Sequence, residues 1–123
     1  MAPTGSAAKL LDGSTIHSKL ACIPGVTASE MPLSTRQSLK TKLDHVDYFV
    51  VDESSMCGLR MIQLLDSRLK AIFDSTKMFG GKSMILVGDI HQIPPVRDIP
   101  TYERIFDVTI LTDKQHEGYI AWK

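Results

Sequence analysis

Two acids side by side at the end of an apolar run are the residues in this chain best suited by type and spacing to chemistry. They are Asp52 and Glu53, in Val51-Asp52-Glu53-Ser54-Ser55, directly after Tyr48-Phe49-Val50. Phosphoryl transfer needs a metal ion to neutralise charge and a positioned water to attack, and two carboxylates can divide that work. In such a site Asp52 holds magnesium, directly or through its water shell, and Glu53 orients or deprotonates the water. The same acids could instead cap the turn that ends a strand, and this segment alone leaves both readings open. A second apolar run, Met84-Ile85-Leu86-Val87, leads into Gly88-Asp89-Ile90-His91-Gln92-Ile93-Pro94-Pro95. An amide donates and accepts hydrogen bonds without adding charge, so Gln92, with Asp89 beside it, could sense a γ-phosphate. A surface Gln in a proline-stiffened loop is the plainer alternative. If both runs are parallel strands, their acidic ends share one sheet edge, where open α/β folds bind ligands. That pairing points to a nucleotide-driven motor.

The elements that must position these residues follow from periodicity and punctuation. Thr4 is placed to cap a short helix that reaches Leu11 and is broken by Gly13. Ser14 or Thr15 caps a second short helix through Leu20. Residues 22–33, with Pro24, Gly25 and Pro32, read as a loop. Ser34 followed by Gln37 has the form of a capping box and opens a helix to about Leu43. Tyr48–Val51 is a strand, and its unbroken apolar run predicts burial on both faces. Leu59, Ile62, Leu65, Leu69, Ile72 and Phe73 recur at helical spacing, so residues 59–74 form an amphipathic helix. Gly80-Gly81 is a turn, Ser83–Val87 a second buried strand, and Val108–Leu111 a third short strand. Strands alternating with helices predict a parallel sheet.

Composition sets limits on this reading. The chain has 123 residues, enough for one ordinary domain with its own core. Lys plus Arg and Asp plus Glu are 14 each, so a nucleic-acid partner must be held by local groups and not by a global basic field. Lys9, Lys19, Lys40 and Lys42 read as a solvated face that could also line a nucleic-acid path. The cysteines, Cys22 and Cys57, make no disulfide framework, and with His17 and His116 they lack zinc-ligand spacing. No apolar run approaches the about 18 residues of a membrane span, so no membrane partner is expected. Ser54-Ser55 is not a hydrolase elbow, since G-x-S-x-G is missing.

Read together, the short motifs carry a resemblance. Ala2-Pro3-Thr4-Gly5-Ser6-Ala7-Ala8, Ser14-Thr15-Ile16-His17-Ser18, Val51-Asp52-Glu53-Ser54-Ser55-Met56, Phe79-Gly80-Gly81 and Gly88-Asp89-Ile90-His91-Gln92-Ile93-Pro94-Pro95-Val96 follow one another in order. This closely resembles the petite-integration-frequency type of superfamily-one DNA helicases, relatives of the RecD helicases, from residue 2 to about residue 112. The resemblance implies a RecA-like α/β P-loop NTPase fold and ATP-driven 5′-to-3′ DNA unwinding, with ATP as substrate and Mg2+ as cofactor. It implies work in DNA repair, recombination and telomere maintenance, on single-stranded DNA or duplex junctions. The first two blocks are similar to motifs Ia and Ib, which touch single-stranded DNA, so Pro3, Thr4, Gly5, Thr15 and His17 become DNA contacts. A half-buried helix histidine is the plainer reading of His17 alone. The acidic block is similar to motif II, with Asp52 on magnesium and Glu53 as catalytic base. The last block is similar to motif III, with Gln92 as the γ-phosphate sensor and Asp89 beside the nucleotide.

Departures from the family pattern shape the expectation further. Its Walker A loop lies upstream of motif Ia, whereas this sequence opens at motif Ia. Gly81-Lys82-Ser83 is a decoy: Thr76 stands where the loop's first glycine belongs, and Lys82 precedes a strand where a P-loop lysine follows one. Leu111-Thr112-Asp113-Lys114-Gln115-His116 resembles the start of the next motif, with His116 where the family usually places an arginine. Residues 1–123 are therefore expected to be one partial first motor domain, motifs Ia to III, with an incomplete sheet lacking the P-loop strand. On its own such a chain should not hydrolyse ATP, since the Walker A segment and the second RecA-like domain are required. The alternative is a non-catalytic remnant that binds single-stranded nucleic acid or is inert. Two cysteines without a framework suggest a reducing compartment, and the resemblance implies an intracellular site, nucleus or mitochondrion in a eukaryote.

Overall fold

The computed structural model describes residues 1–22, 30–103 and 111–122. Helix α1 spans Gly5–Leu10 and α2 spans Ile16–Lys19, and each starts where a threonine precedes it. Thr4 Oγ1 accepts from Ala7 N at 3.4 Å, and Thr15 Oγ1 accepts from Ser18 N at 3.2 Å. Each hydroxyl thus satisfies an amide that the first helical turn leaves without a partner. Ahead of both caps, Met1-Ala2 is wedged between residues 14–16 and the end of the Tyr48–Val51 strand. Ala2 N donates to Ser14 O at 3.2 Å, and Ile16 N donates to Ala2 O at 3.0 Å. On its other side the Met1 amine donates to Val50 O at 2.8 Å, and Asp52 N donates to Met1 O at 3.0 Å.

Strand β1, Tyr48–Val51, pairs in parallel with β2, Ser83–Leu86, in a register that sets Val51 opposite Leu86. Between them, α4 (Leu59–Phe73) crosses the inner face. Its stripe of Leu59, Ile62, Leu65, Leu69 and Ile72 is fully buried, and the last four meet Phe49 and Val51 in the main core together with Ile16, Leu20 and Leu43. Helix α3, Leu33–Leu43, contributes Leu43 to this core, and α5, Asp113–Trp122, contributes Ala121. The amphipathic period expected over 59–74 is thus the organising helix.

The chain returns from α4 to β2 through a tight 3-10 turn, Met78–Gly81. Asp66 fastens it, accepting from Phe79 N at 2.7 Å and from Lys70 Nζ at 2.6 Å. Phe79 and Gly80 both have positive φ, and a Cβ on Gly80 would lie 2.6 Å from Leu69 O. Glycine at position 80 is therefore demanded by backbone sign and by space together. Lys82 stacks over the Phe73 ring at 4.8 Å and donates to Asp44 O at 3.0 Å, a structural task that fits its reading as a P-loop decoy.

Several expectations require correction. Neither strand is buried on both faces. Phe49 and Val51 are buried, but Tyr48 is 65% and Val50 46% exposed, and β2 alternates likewise, with Ile85 half-exposed. The helices cover one face of the pair, so the apolar run does not report two-sided burial here. Strand β2 ends at Leu86, one residue early. Helix α3 opens at Leu33 after Pro32, with no side-chain cap. Starting at Leu33 carries Ser34 into the first turn, where its hydroxyl is no longer at the cap position. Helix α5 had no counterpart among the expected elements. The third strand, Val108–Leu111, lies outside the described residues apart from Leu111.

Candidate functional site

Parallel pairing brings the C-terminal ends of β1 and β2 to one edge, and hydrogen bonds then lock the two loops together. Val87 N donates to Val51 O at 2.8 Å, and Ser54 N donates back to Val87 O at 2.9 Å. Gly88 completes the clamp: a Cβ there would lie 2.7 Å from Ser54 N and 2.8 Å from Ser54 Oγ. No other residue allows these segments to approach so closely. The acidic pair and the Gly88–Pro95 loop are thereby held as one unit.

Glu53 sits at the centre of the clamp with φ 56 and ψ 40, a left-handed conformation that non-glycine residues seldom adopt. It starts the 3-10 turn Ser54–Met56, where Met56 N donates to Glu53 O at 3.0 Å. Such strain persists only where surrounding bonds over-determine it, and it gathers at functional positions. Asp52 and Glu53 are both half-buried. Among the described residues, neither carboxylate accepts a hydrogen bond or forms an ion pair, and Asp52 lies close enough to the Met1 ammonium to act on it electrostatically. Burial, then the Lys19 charge, lowers the pKa of that amine, while Asp52 partly offsets the shift.

No three His, Cys, Asp or Glu side chains converge among the described residues. A site offering one or two carboxylates and no cage suits magnesium, which keeps several waters and takes its remaining ligands from substrate phosphates. Asp52 and Glu53 therefore fit that ion as a donor set, with Asp52 as the holder.

Gln92 and Asp89 lie on the turn beyond β2, both exposed. Asp89 Oδ1 accepts from His91 N at 2.9 Å, and Gln92 N donates to Asp89 O at 3.0 Å. Asp89 thus shapes the turn that carries Gln92, whose side chain is exposed. No hydrogen bond joins Gln92 to Asp52 or Glu53.

The N-terminal candidates converge through the bridge between Ala2 and Thr15. Pro3, Thr4 and Gly5 begin α1, while Thr15 and His17 begin α2, so the two short helices start beside each other and next to the end of β1. Thr4 and Thr15 accept backbone hydrogen bonds as caps; the Thr4 hydroxyl also bonds Ser6 Oγ at 3.2 Å, where either can be the donor, while the Thr15 hydroxyl can still donate outward. A Cβ on Gly5 would meet nothing within 4 Å, so this helix start is open to solvent. His17 is exposed.

Sequence reasoning missed Asp98. This carboxylate, just beyond Pro94-Pro95, accepts from Arg60 N at 2.9 Å, Ile99 N at 2.9 Å and Gln115 Nε2 at 3.2 Å. It caps α4 from a distant part of the chain, because α4 starts at Gly58, which has no side chain to do so. A Cβ on Gly58 would collide with Asp98 itself. Gln115, in the first turn of α5, also reaches back to the residue before the helix, its Oε1 accepting from Thr112 N at 3.1 Å and Thr112 Oγ1 at 2.9 Å. Asp98 thus joins the loop that bears Gln92 to α4 and α5. The only sequence signal was Gly58 immediately before an apolar-periodic run, at a cap position it cannot fill.

With this geometry in view, comparison with known proteins is specific. The model of the PIF1-like helicase family matches residues 1–120. The ATP-dependent DNA helicase Pif1 of Psychrobacter is 34% identical over 98 residues, covering 77% of this chain and 15% of that protein. The human ATP-dependent DNA helicase PIF1 is 30% identical over 101 residues, again 77% of this chain and 15% of the relative. Among solved structures, Bacteroides Pif1 bound to single-stranded DNA superposes with a TM-score of 0.63 at 29% identity, covering 77% of this chain and 23% of its own. The Bacteroides enzyme in complex with ADP-AlF3 and single-stranded DNA gives 0.62 at 31% identity, with coverages of 77% and 23%. The fold is thus the RecA-like α/β fold of these helicases, and the chain spans under a quarter of the length of the relatives it matches.

Proposed function

This chain belongs to the PIF1-like helicase family, and on that premise we propose that it forms the motif Ia-to-III part of a helicase's first motor domain. The proposed activity is ATP-driven 5′-to-3′ unwinding of DNA, and the partners are ATP, single-stranded DNA and duplex junctions. The observation that carries this reading is the clamp between Val51–Ser54 and Val87–Gly88. It holds a strained Glu53 and the start of the loop that leads to Gln92 at one sheet edge, beside the starts of α1 and α2. Relatives named as ATP-dependent DNA helicases, and similar structures with single-stranded DNA, support it.

In this assignment Glu53 accepts the proton of the attacking water, and Gln92 reports on the γ-phosphate. Asp52 would hold Mg2+, which when bound supplies charge neutralisation on the phosphates. Thr15 donates its hydroxyl proton to a DNA phosphate, and Thr4 does so where Ser6 is the donor in their mutual bond, while Pro3, Gly5 and His17 lie alongside. The cellular setting proposed is repair, recombination and telomere maintenance in a DNA-containing compartment, the nucleus or mitochondrion in a eukaryote.

The test uses a motor in which this stretch stands with a Walker A loop and a second RecA-like domain. Glu53→Gln should leave ATP binding nearly unchanged and reduce DNA-stimulated hydrolysis by about 100-fold or more, the scale of a lost general base. Asp52→Asn should weaken the magnesium-dependent part of binding instead. Normal turnover by Glu53→Gln would refute the role given to Glu53, and a motor inactive before any substitution would favour a non-catalytic remnant.

A further inference from the structure

The segment after β1, which carries Glu53, and the segment after β2, which carries Gln92, are tied to each other twice. The first tie is the clamp of Val51 and Ser54 with Val87, closed over Gly88. The second lies at the far end of both segments. There Asp98 Oδ2 accepts from Arg60 N at 2.9 Å, Leu59 N donates to Ile99 O at 3.0 Å, and Gly58 bridges Pro100. We infer that Asp98 is a positioning residue for ATP hydrolysis, fixing the far end of the loop that carries Gln92. The inference rests on the sensor role proposed above for Gln92.

Between the two ties little else holds the loop. Among the described residues, the hydrogen bonds of residues 89–97 stay within the segment, from His91 N to Asp89 Oδ1 and from Gln92 N to Asp89 O. All of these residues except the half-buried Pro95 are exposed, so packing supplies no strong third anchor. A loop closed at both ends gives up freedom that releasing one end restores. Pro94 and Pro95 have fixed φ and stiffen the path from Gln92 to Asp98, so a shift at Asp98 is carried back along the loop. Arg97, directly before Asp98, is held at φ 55, a left-handed conformation that persists where neighbouring bonds enforce it. The carboxylate itself is braced from α5 as well, since its Oδ1 accepts from Gln115 Nε2 at 3.2 Å and from Ile99 N at 2.9 Å. Three donors from three parts of the chain thus set where the loop ends, and the effect of Asp98 on hydrolysis passes through Gln92.

The experiment uses a motor in which this stretch stands with a Walker A loop and a second RecA-like domain, and compares Asp98→Asn, Gln92→Ala and the double variant. The Asn amide must present an NH2 to one of the three donors, so it loosens the tie without emptying the hub. Asp98→Asn should lower kcat for DNA-stimulated hydrolysis by about tenfold, within the range that misplacing a group by about 1 Å costs. Affinity for ADP should not change, because ADP has no γ-phosphate for Gln92 to meet. In the Gln92→Ala background Asp98→Asn should have no further effect on kcat, since the two residues act as one unit. Wild-type turnover by Asp98→Asn would overturn the inference. So would losses that multiply in the double variant, or a parallel loss of ADP affinity, either of which marks general damage to the fold. Unchanged turnover by Gln92→Ala alone would refute the sensor role itself, and the inference with it.

Discussion

Asp98→Ala tests the coupling between the Gln92 loop and the helices, and its cost can be built from the structure. The substitution takes an acceptor from Arg60 N, Ile99 N and Gln115 Nε2. Losing the carboxylate that caps α4 costs about 0.5–2 kcal/mol. Gln115 is only 6% exposed, so its orphaned amide adds about 1–3 kcal/mol. Ile99 lies in a half-exposed segment where water can replace the lost partner. Together the loss should be about 2–4 kcal/mol, which would lower the urea midpoint by about 1–2 M. Asp98→Asn keeps one acceptor oxygen and should cost clearly less. Gly58→Ala should mimic Asp98→Ala, because its Cβ occupies the space of the Asp98 carboxylate, and the double variant should cost far less than the sum. The assay is urea unfolding followed by circular dichroism. A midpoint shift under about 0.3 M for Asp98→Ala, or full additivity with Gly58→Ala, would refute this account of the hub.

Other outcomes follow from single contacts. Gly88→Ala must push Ser54 away and break its bond to Val87, costing about 1–3 kcal/mol; an unchanged urea midpoint would show that the clamp is not tight. Gly118→Ala should be still more damaging, since a Cβ there collides with the Leu59 carbonyl where α5 crosses α4, and a fully folded variant by circular dichroism would contradict the packing. Burial pushes the Cys57 thiol from 9.0 up to about 11. The unfolded thiol ionises first, so the stability contributed by the neutral form is complete below about pH 9 and is lost as pH rises through about 11. Cys57→Ala should flatten this part of the pH–stability curve, and an identical slope in both proteins would count against the burial of that thiol.

What sequence alone determined here is local. The cap at Thr4, and a second at Ser14 or Thr15, were legible because a hydroxyl before a helix satisfies amides only a few residues away; the structure settled the second on Thr15. Helix α4 was legible because one stripe of apolar residues at helical spacing has only one way to be buried. The meeting of the Asp52–Glu53 end with the Val87–Gly88 end at one edge followed from two strand-like runs and the rule that such strands pair in parallel. The tertiary structure decided the rest. Exposure of Tyr48, Val50 and Ile85 depends on which sheet face the helices cover, which an apolar run does not encode. Helix α5 escaped because its interior glycine, Gly118, weakens helical propensity, yet that glycine is what lets it cross α4. Asp98 caps a helix that begins 40 positions earlier, counting from Gly58, and Glu53 is held left-handed by bonds that β2 and its own turn supply. Contacts of that range have no period and no local signature, so they became visible only once the chain had folded on itself.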